Sequence, residues 1–103
     1  MNQQLIKKVK KMQDEMVATQ KEIEETVFSA SAGGVVTVEV LGTKEIDNIV
    51  IDDDFQVESK EDLDLLCEMI ITASKSCYKE IEKTTQEKLG KYTSLLGGMG
   101  NLF

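Results

Sequence analysis

The sequence predicts an α+β fold of α-β-β-β-α order, with a three-stranded antiparallel sheet and two long helices, joined into an intertwined homodimer. Three observations predict it. The first segment spaces its apolar residues alternately four and three apart, the middle switches to steps of two, and the end returns to a helical stripe too long for so small a sheet to cover.

Leu5, Val9, Met12, Met16, Thr19, Ile23 and Thr26 occupy the a and d positions of a helix that packs on another helix. They fall in one narrow stripe, and Ile6 with Val17 forms a second apolar edge beside it. No proline occurs anywhere and no glycine precedes Gly33, so nothing interrupts this helix. Thr26 to Ser31 then reads as a weak strand, and Gly33-Gly34 suits the positive backbone angles of a tight hairpin. From Val35 the period is two: Val36, Val38 and Val40 share one face, Gly42-Thr43-Lys44 turns the chain, and Ile46 to Ile51 forms the third strand.

Ser59 followed by Asp62 is a near capping box for the second helix, and acidic residues crowd its first turn, where the helix dipole favours them. Leu63, Leu66, Ile70, Ser74, Cys77 and Ile81 make its stripe, and Gly90 supplies a stop, which places the helix at about 60–89. Residues 1–91 thus form one α-β-β-β-α domain, and 92–103 a flexible glycine-rich tail. At ~1.5 Å per residue the first helix spans ~40 Å and the second more, whereas six- or seven-residue strands reach only ~20 Å. Much of each stripe must overhang the sheet. The same stripe on a second copy is the natural cover, so Leu5, Val9, Met12, Met16 and Ile23 are expected at a dimer interface.

A composition of 41% apolar and 30% charged residues is that of an ordinary soluble domain. No segment has the ~20 apolar residues of a membrane span, and the N-terminus lacks the apolar core of a secretory signal, so the protein is expected in the cytoplasm, away from membranes. Cys67 and Cys77 stand ten residues apart on one helix, ~15 Å along its axis, and read as small core residues. Enzymatic chemistry has little to stand on. There is no histidine to serve as base or metal ligand, and Asp52-Asp53-Asp54 lacks the ligand spacing, central glycine and closing glutamate of a calcium loop. Gly97-Gly98-Met99-Gly100 follows no strand and precedes no Lys-Ser or Lys-Thr, so it is no phosphate loop. No metal, cofactor or small-molecule substrate is expected.

The net charge of −7 is unevenly distributed. Lys7, Lys8, Lys10 and Lys11 stand among the first eleven residues with no acidic neighbour, while residues 45–68 hold ten acidic residues against Lys60 alone. Lys75, Lys79 and Lys83 form an i, i+4, i+8 ladder opposite the second apolar stripe, a like-charge arrangement that costs a few tenths of a kcal/mol per pair. A polyanion would offset that cost; the plain alternative is that these lysines only solvate helix surfaces.

Specific strings carry a family resemblance: Lys11-Met12-Gln13 with Met16, Gly33-Gly34-Val35-Val36-Thr37-Val38, Gly42, Ile49-Val50-Ile51-Asp52, Asp62-Leu63 with Leu66, Ile70 and Ala73, and the ending Gly97-Gly98-Met99-Gly100-Asn101-Leu102-Phe103. In this order and spacing the chain resembles the YbaB/EbfC family of nucleoid-associated DNA-binding proteins over nearly its whole length. The resemblance implies a homodimer whose long helices project as pincers around duplex DNA, with little sequence preference, acting in chromosome organisation or gene regulation and not as an enzyme. It departs from the family at Asp53, where proline is common, and along Ala73-Ser74-Lys75-Ser76-Cys77. All twelve basic residues are lysine. Lysine acts on phosphate as a point charge, whereas guanine is most often read by arginine, so affinity is expected from the DNA backbone. Lys7, Lys8, Lys10, Lys11, Lys75, Lys79 and Lys83 are the expected DNA-binding residues. The competing reading is a protein-binding adaptor or chaperone dimer that uses Met12 and Met16 as contacts and does not bind DNA.

Overall fold

The computed structural model describes residues 2–100, and side chains as far as Leu95. Its element order is α1 (Gln3–Glu25), β1 (Val27–Ala32), β2 (Val36–Leu41), β3 (Ile46–Ile51) and α2 (Lys60–Gly100), in the predicted α-β-β-β-α order.

Asn2 caps α1, its side chain accepting from the Gln4 N–H at 2.9 Å, and Thr26 ends the helix with its own N–H donating to the Ile23 carbonyl. The strands follow in antiparallel order β1-β2-β3. Gly33 and Gly34 both adopt positive φ, +61° and +67°, so the β1–β2 hairpin turns in the mirror-image sense that matches strand twist. The β2–β3 turn places Lys44 at φ +77°, where a side chain is strained. Lys44→Gly is expected to stabilise the fold by about 0.5–1 kcal/mol, raising the melting temperature by a few degrees. Tyr78 donates to the Lys44 backbone carbonyl at 3.5 Å, a bond the substitution leaves in place.

Pairing sets Phe28, Ala30 and Ala32 opposite Val40, Val38 and Val36 on one face of the sheet. α2 lies across that face, and the core joins Phe28, Val36, Val38 and Val40 to Met69, Ala73, Cys77 and Ile81. The helix stripe therefore differs from the expected one: Met69 and Ala73 are inside, and Leu63 is half exposed at 48%. Positions 69, 73, 77 and 81 follow a strict step of four, which drifts around the helix as a slanted ridge, the kind of row that one helix lays across its neighbour. Cys77 is buried with its thiol 3.4 Å from the Val38 carbonyl, and burial pushes its pKa up, so it stays a protonated donor. Cys67 is exposed, contrary to its expected core position.

The cap of α2 matches expectation: the Ser59 hydroxyl accepts from the Asp62 N–H, and the Asp62 carboxylate accepts from the Glu58 N–H. Its end does not. α2 runs through Gly90 to Gly100, into the segment expected as tail, because a helical glycine costs only ~1 kcal/mol and Tyr92, two residues on, is buried against the molecule. Residues 101–103, the end of that expected tail, lie outside the described residues.

Candidate nucleic-acid interface

α1 and the second half of α2 form an antiparallel pair extending away from the sheet. The register is fixed by two contacts: the Tyr92 hydroxyl donates to Glu15 at 3.5 Å, and the Lys88 ammonium lies 3.8 Å from the Glu22 carboxylate. Both partners of that ion pair are largely exposed, so it aligns the helices while contributing well under ~1 kcal/mol. The molecule is accordingly long, 71 × 22 × 17 Å.

This shape separates charge. Lys7, Lys8, Lys10 and Lys11 are all exposed near the outer end of the arm, and no acidic residue occupies the first turn of α1 to neutralise its positive pole. The acidic residues of segment 45–68 lie at the other end, on β3, the following loop and the start of α2. Asp52 is used locally, its carboxylate accepting from the Asp54 N–H at 2.9 Å.

Lys75, Lys79 and Lys83 are also exposed, but on the part of α2 that crosses the sheet. By the register of the pair, Lys11 stands level with residues about thirteen positions beyond Lys83, ~20 Å along the arm. The two lysine sets are therefore not one patch within a subunit. Sequence reasoning passed over Lys88 and Lys91, which lie between them. They break the i+4 ladder because they serve the helix seam, Lys88 at Glu22 and Lys91 4.9 Å from the Tyr92 ring.

The expected interface residues are divided by the fold. Ile23 is 1% exposed inside its own subunit, Val9, Met12 and Met16 are half-buried, and Leu5 is 52% exposed. A second helix of the same chain supplies part of the cover that the α1 stripe requires. The larger uncovered surface is elsewhere: Ile46, Ile49 and Ile51 lie on the helix side of β3 at 49%, 39% and 39% exposure. A groove of about 590 Å³ beside Met16, Val17, Gln20, Lys21 and Glu24 is lined by α1 alone, so it does not enclose a small molecule.

The molecule is thus an elongated helical arm with a basic outer end and an acidic segment at its sheet-bearing end. The model of the YbaB/EbfC DNA-binding family matches residues 1–96. The chain belongs to that family. Among its relatives are nucleoid-associated proteins of Saccharopolyspora erythraea, 33% identical over 93% of this chain and 82% of that one, and of Alkaliphilus metalliredigens, 38% identical over 92% and 80%. A nucleoid-associated protein of Lactococcus lactis subsp. cremoris is 37% identical over 88% of this chain and 91% of its own. The fold matches that of an uncharacterized Helicobacter pylori protein, with a TM-score of 0.65 and 24% identity over 84% of this chain and 91% of that one. The basic complement of this YbaB/EbfC protein is lysine alone, which leaves it no bidentate guanidinium for a guanine edge.

Proposed function

We propose that this YbaB/EbfC protein acts as a homodimer that binds duplex DNA through lysine–phosphate contacts with low sequence preference, as a nucleoid-associated organiser of the chromosome in the cytoplasm. The observation that carries the reading is the placement of four exposed lysines at the end of a 71 Å molecule remote from its acidic segment. Phosphate contacts need mobile positive charge at an accessible edge, and no arrangement of groups beyond that. Lys75, Lys79 and Lys83 are proposed as a second contact set, reached if two subunits bring the sheet-bearing parts of the molecule against one duplex.

The dimer is supported by the apolar surface of β3. An edge strand with three exposed isoleucines on one face is a surface that stable soluble proteins cover. A second copy covers it symmetrically, and sedimentation at micromolar concentration is expected to give about twice the 11.5 kDa chain mass. A monomeric mass with full helicity would refute the homodimer. An electrophoretic shift with unrelated duplexes at low salt tests the DNA reading; no shift would favour the adaptor, whose contact residues Met12 and Met16 are half-buried here.

A further inference from the structure

We infer that the outer face of α1 reads bases in the major groove, with Gln13 and Val17 as the reading residues and A·T steps as the preferred class of site. The inference rests on the DNA-binding reading above and assigns the part of the arm that lysine–phosphate contacts leave unused.

Gln3, Ile6, Lys10, Gln13, Val17 and Lys21 recur at steps of three and four, so they share one side of the helix. That side is roughly opposite the one on which Glu15 and Glu22 meet α2, and all six residues are exposed. Val17 is 66% exposed and Ile6 51%, values that helix packing within the subunit does not explain. Asp14 borders this side, and Glu24 continues the same series one step beyond Lys21, where it accepts from Gln20, so the carboxylate-free part of the face runs from Gln3 to Lys21. Gln13 makes no side-chain hydrogen bond among the described residues.

The spacing fits a duplex groove. Lys10 and Lys21 are eleven residues apart, ~16 Å along the helix, enough to reach phosphates on either side of a ~12 Å major groove. Gln13 and Val17 fall between them, ~6 Å apart, which is about two base steps. On this face, which carries no asparagine, glutamine is the side chain that holds an amide donor and a carbonyl acceptor side by side. Its carbonyl accepts from adenine N6–H and its amide donates to adenine N7, while valine offers an apolar contact to the thymine methyl. Lys10 and Lys21 on this face, with Lys7 at its border, favour DNA as the occupant over an uncharged partner.

The test compares A·T-rich and G·C-rich duplexes of equal length at one salt concentration. The natural chain is expected to prefer the A·T-rich duplex about fivefold, the lower end of a bidentate contact. Gln13→Ala should lower that ratio towards one, leaving only the share that Val17 supplies, without changing the salt slope, since no phosphate contact is lost. Replacing thymine by deoxyuridine removes the methyl group, and should weaken binding by the natural chain but not by Val17→Ala. A ratio of one in the natural chain, an unchanged ratio in Gln13→Ala, or an equal deoxyuridine penalty in Val17→Ala would overturn the inference while leaving lysine–phosphate binding in place. A changed sedimentation mass in either variant would assign the face to subunit contact and overturn it as well. Absence of binding to any duplex would refute the DNA-binding reading itself, and this inference with it.

Discussion

Ile23→Asp is expected to unfold the chain. Ile23 is 1% exposed at the point where α1 meets the sheet, and the described residues include no buried polar or charged side chain that could pair with an added carboxylate. Losing the isoleucine burial costs about 2–3 kcal/mol, and desolvating an unpaired charge adds several more, together comparable with the whole stability of a small domain. The junction has no slack. A Cβ at Gly42 would overlap the Ile23 carbonyl, and the Gly42 N–H donates to the Thr26 carbonyl at 2.9 Å, so Gly42→Ala strains the same locus from the opposite side. Met16→Asp is expected to cost less, because Met16 is half-buried on the arm and its carboxylate would retain water. Thermal melts followed by circular dichroism separate these cases. A cooperative transition in Ile23→Asp within a few degrees of the natural chain would show that the arm is held to the sheet by something other than this contact.

The parts of the fold legible in the sequence were those encoded by local chemistry. Valine alternation marked β2, the glycine pair marked a hairpin that requires two positive φ values, and Ser59 with Asp62 marked the start of α2. What the sequence concealed was cover. Periodicity tells which side chains point together, but not what lies over them: the α1 stripe meets α2 of its own chain, and the isoleucines of β3, equally periodic, stay partly exposed. The same limit moved the α2 core from Leu63 to Met69 and Ala73, since a ridge at steps of four and a stripe at mixed steps draw on overlapping residues. Gly90 was misread because local propensity, worth ~1 kcal/mol, is outweighed when flanking residues such as Tyr92 are buried. For the interface, exposure of all seven lysines followed from helix geometry, but their division into two separate sets required the register of the two helices.

Reversal of Lys7, Lys8, Lys10 and Lys11 to glutamate is expected to abolish DNA binding while leaving the fold and the subunit mass unchanged. Each phosphate contact releases condensed counterion, so log K for the natural chain should fall with log salt at a slope of about −0.9 per contact, four contacts per arm giving about −3.6. Reversal removes those contacts and sets negative charge against the duplex, an effect expected to exceed a hundredfold at low salt. Folding should not suffer. All four side chains are exposed, and glutamate is as good a helix former as lysine. Reversal of Lys75, Lys79 and Lys83 is the informative comparison, because those residues stand over the sheet, ~20 Å away. A loss confined to the arm-end variant would assign binding to the arm, whereas equal losses would mean that one duplex engages both sets, which a single subunit does not bring together. In either case, A·T-rich and G·C-rich duplexes should bind the natural chain within roughly tenfold of each other, since lysine supplies charge without the bidentate fork that distinguishes guanine. Retained affinity in the four-lysine reversal would refute the arm end as the contact site, and point to the sheet-spanning part of α2 as the origin of binding.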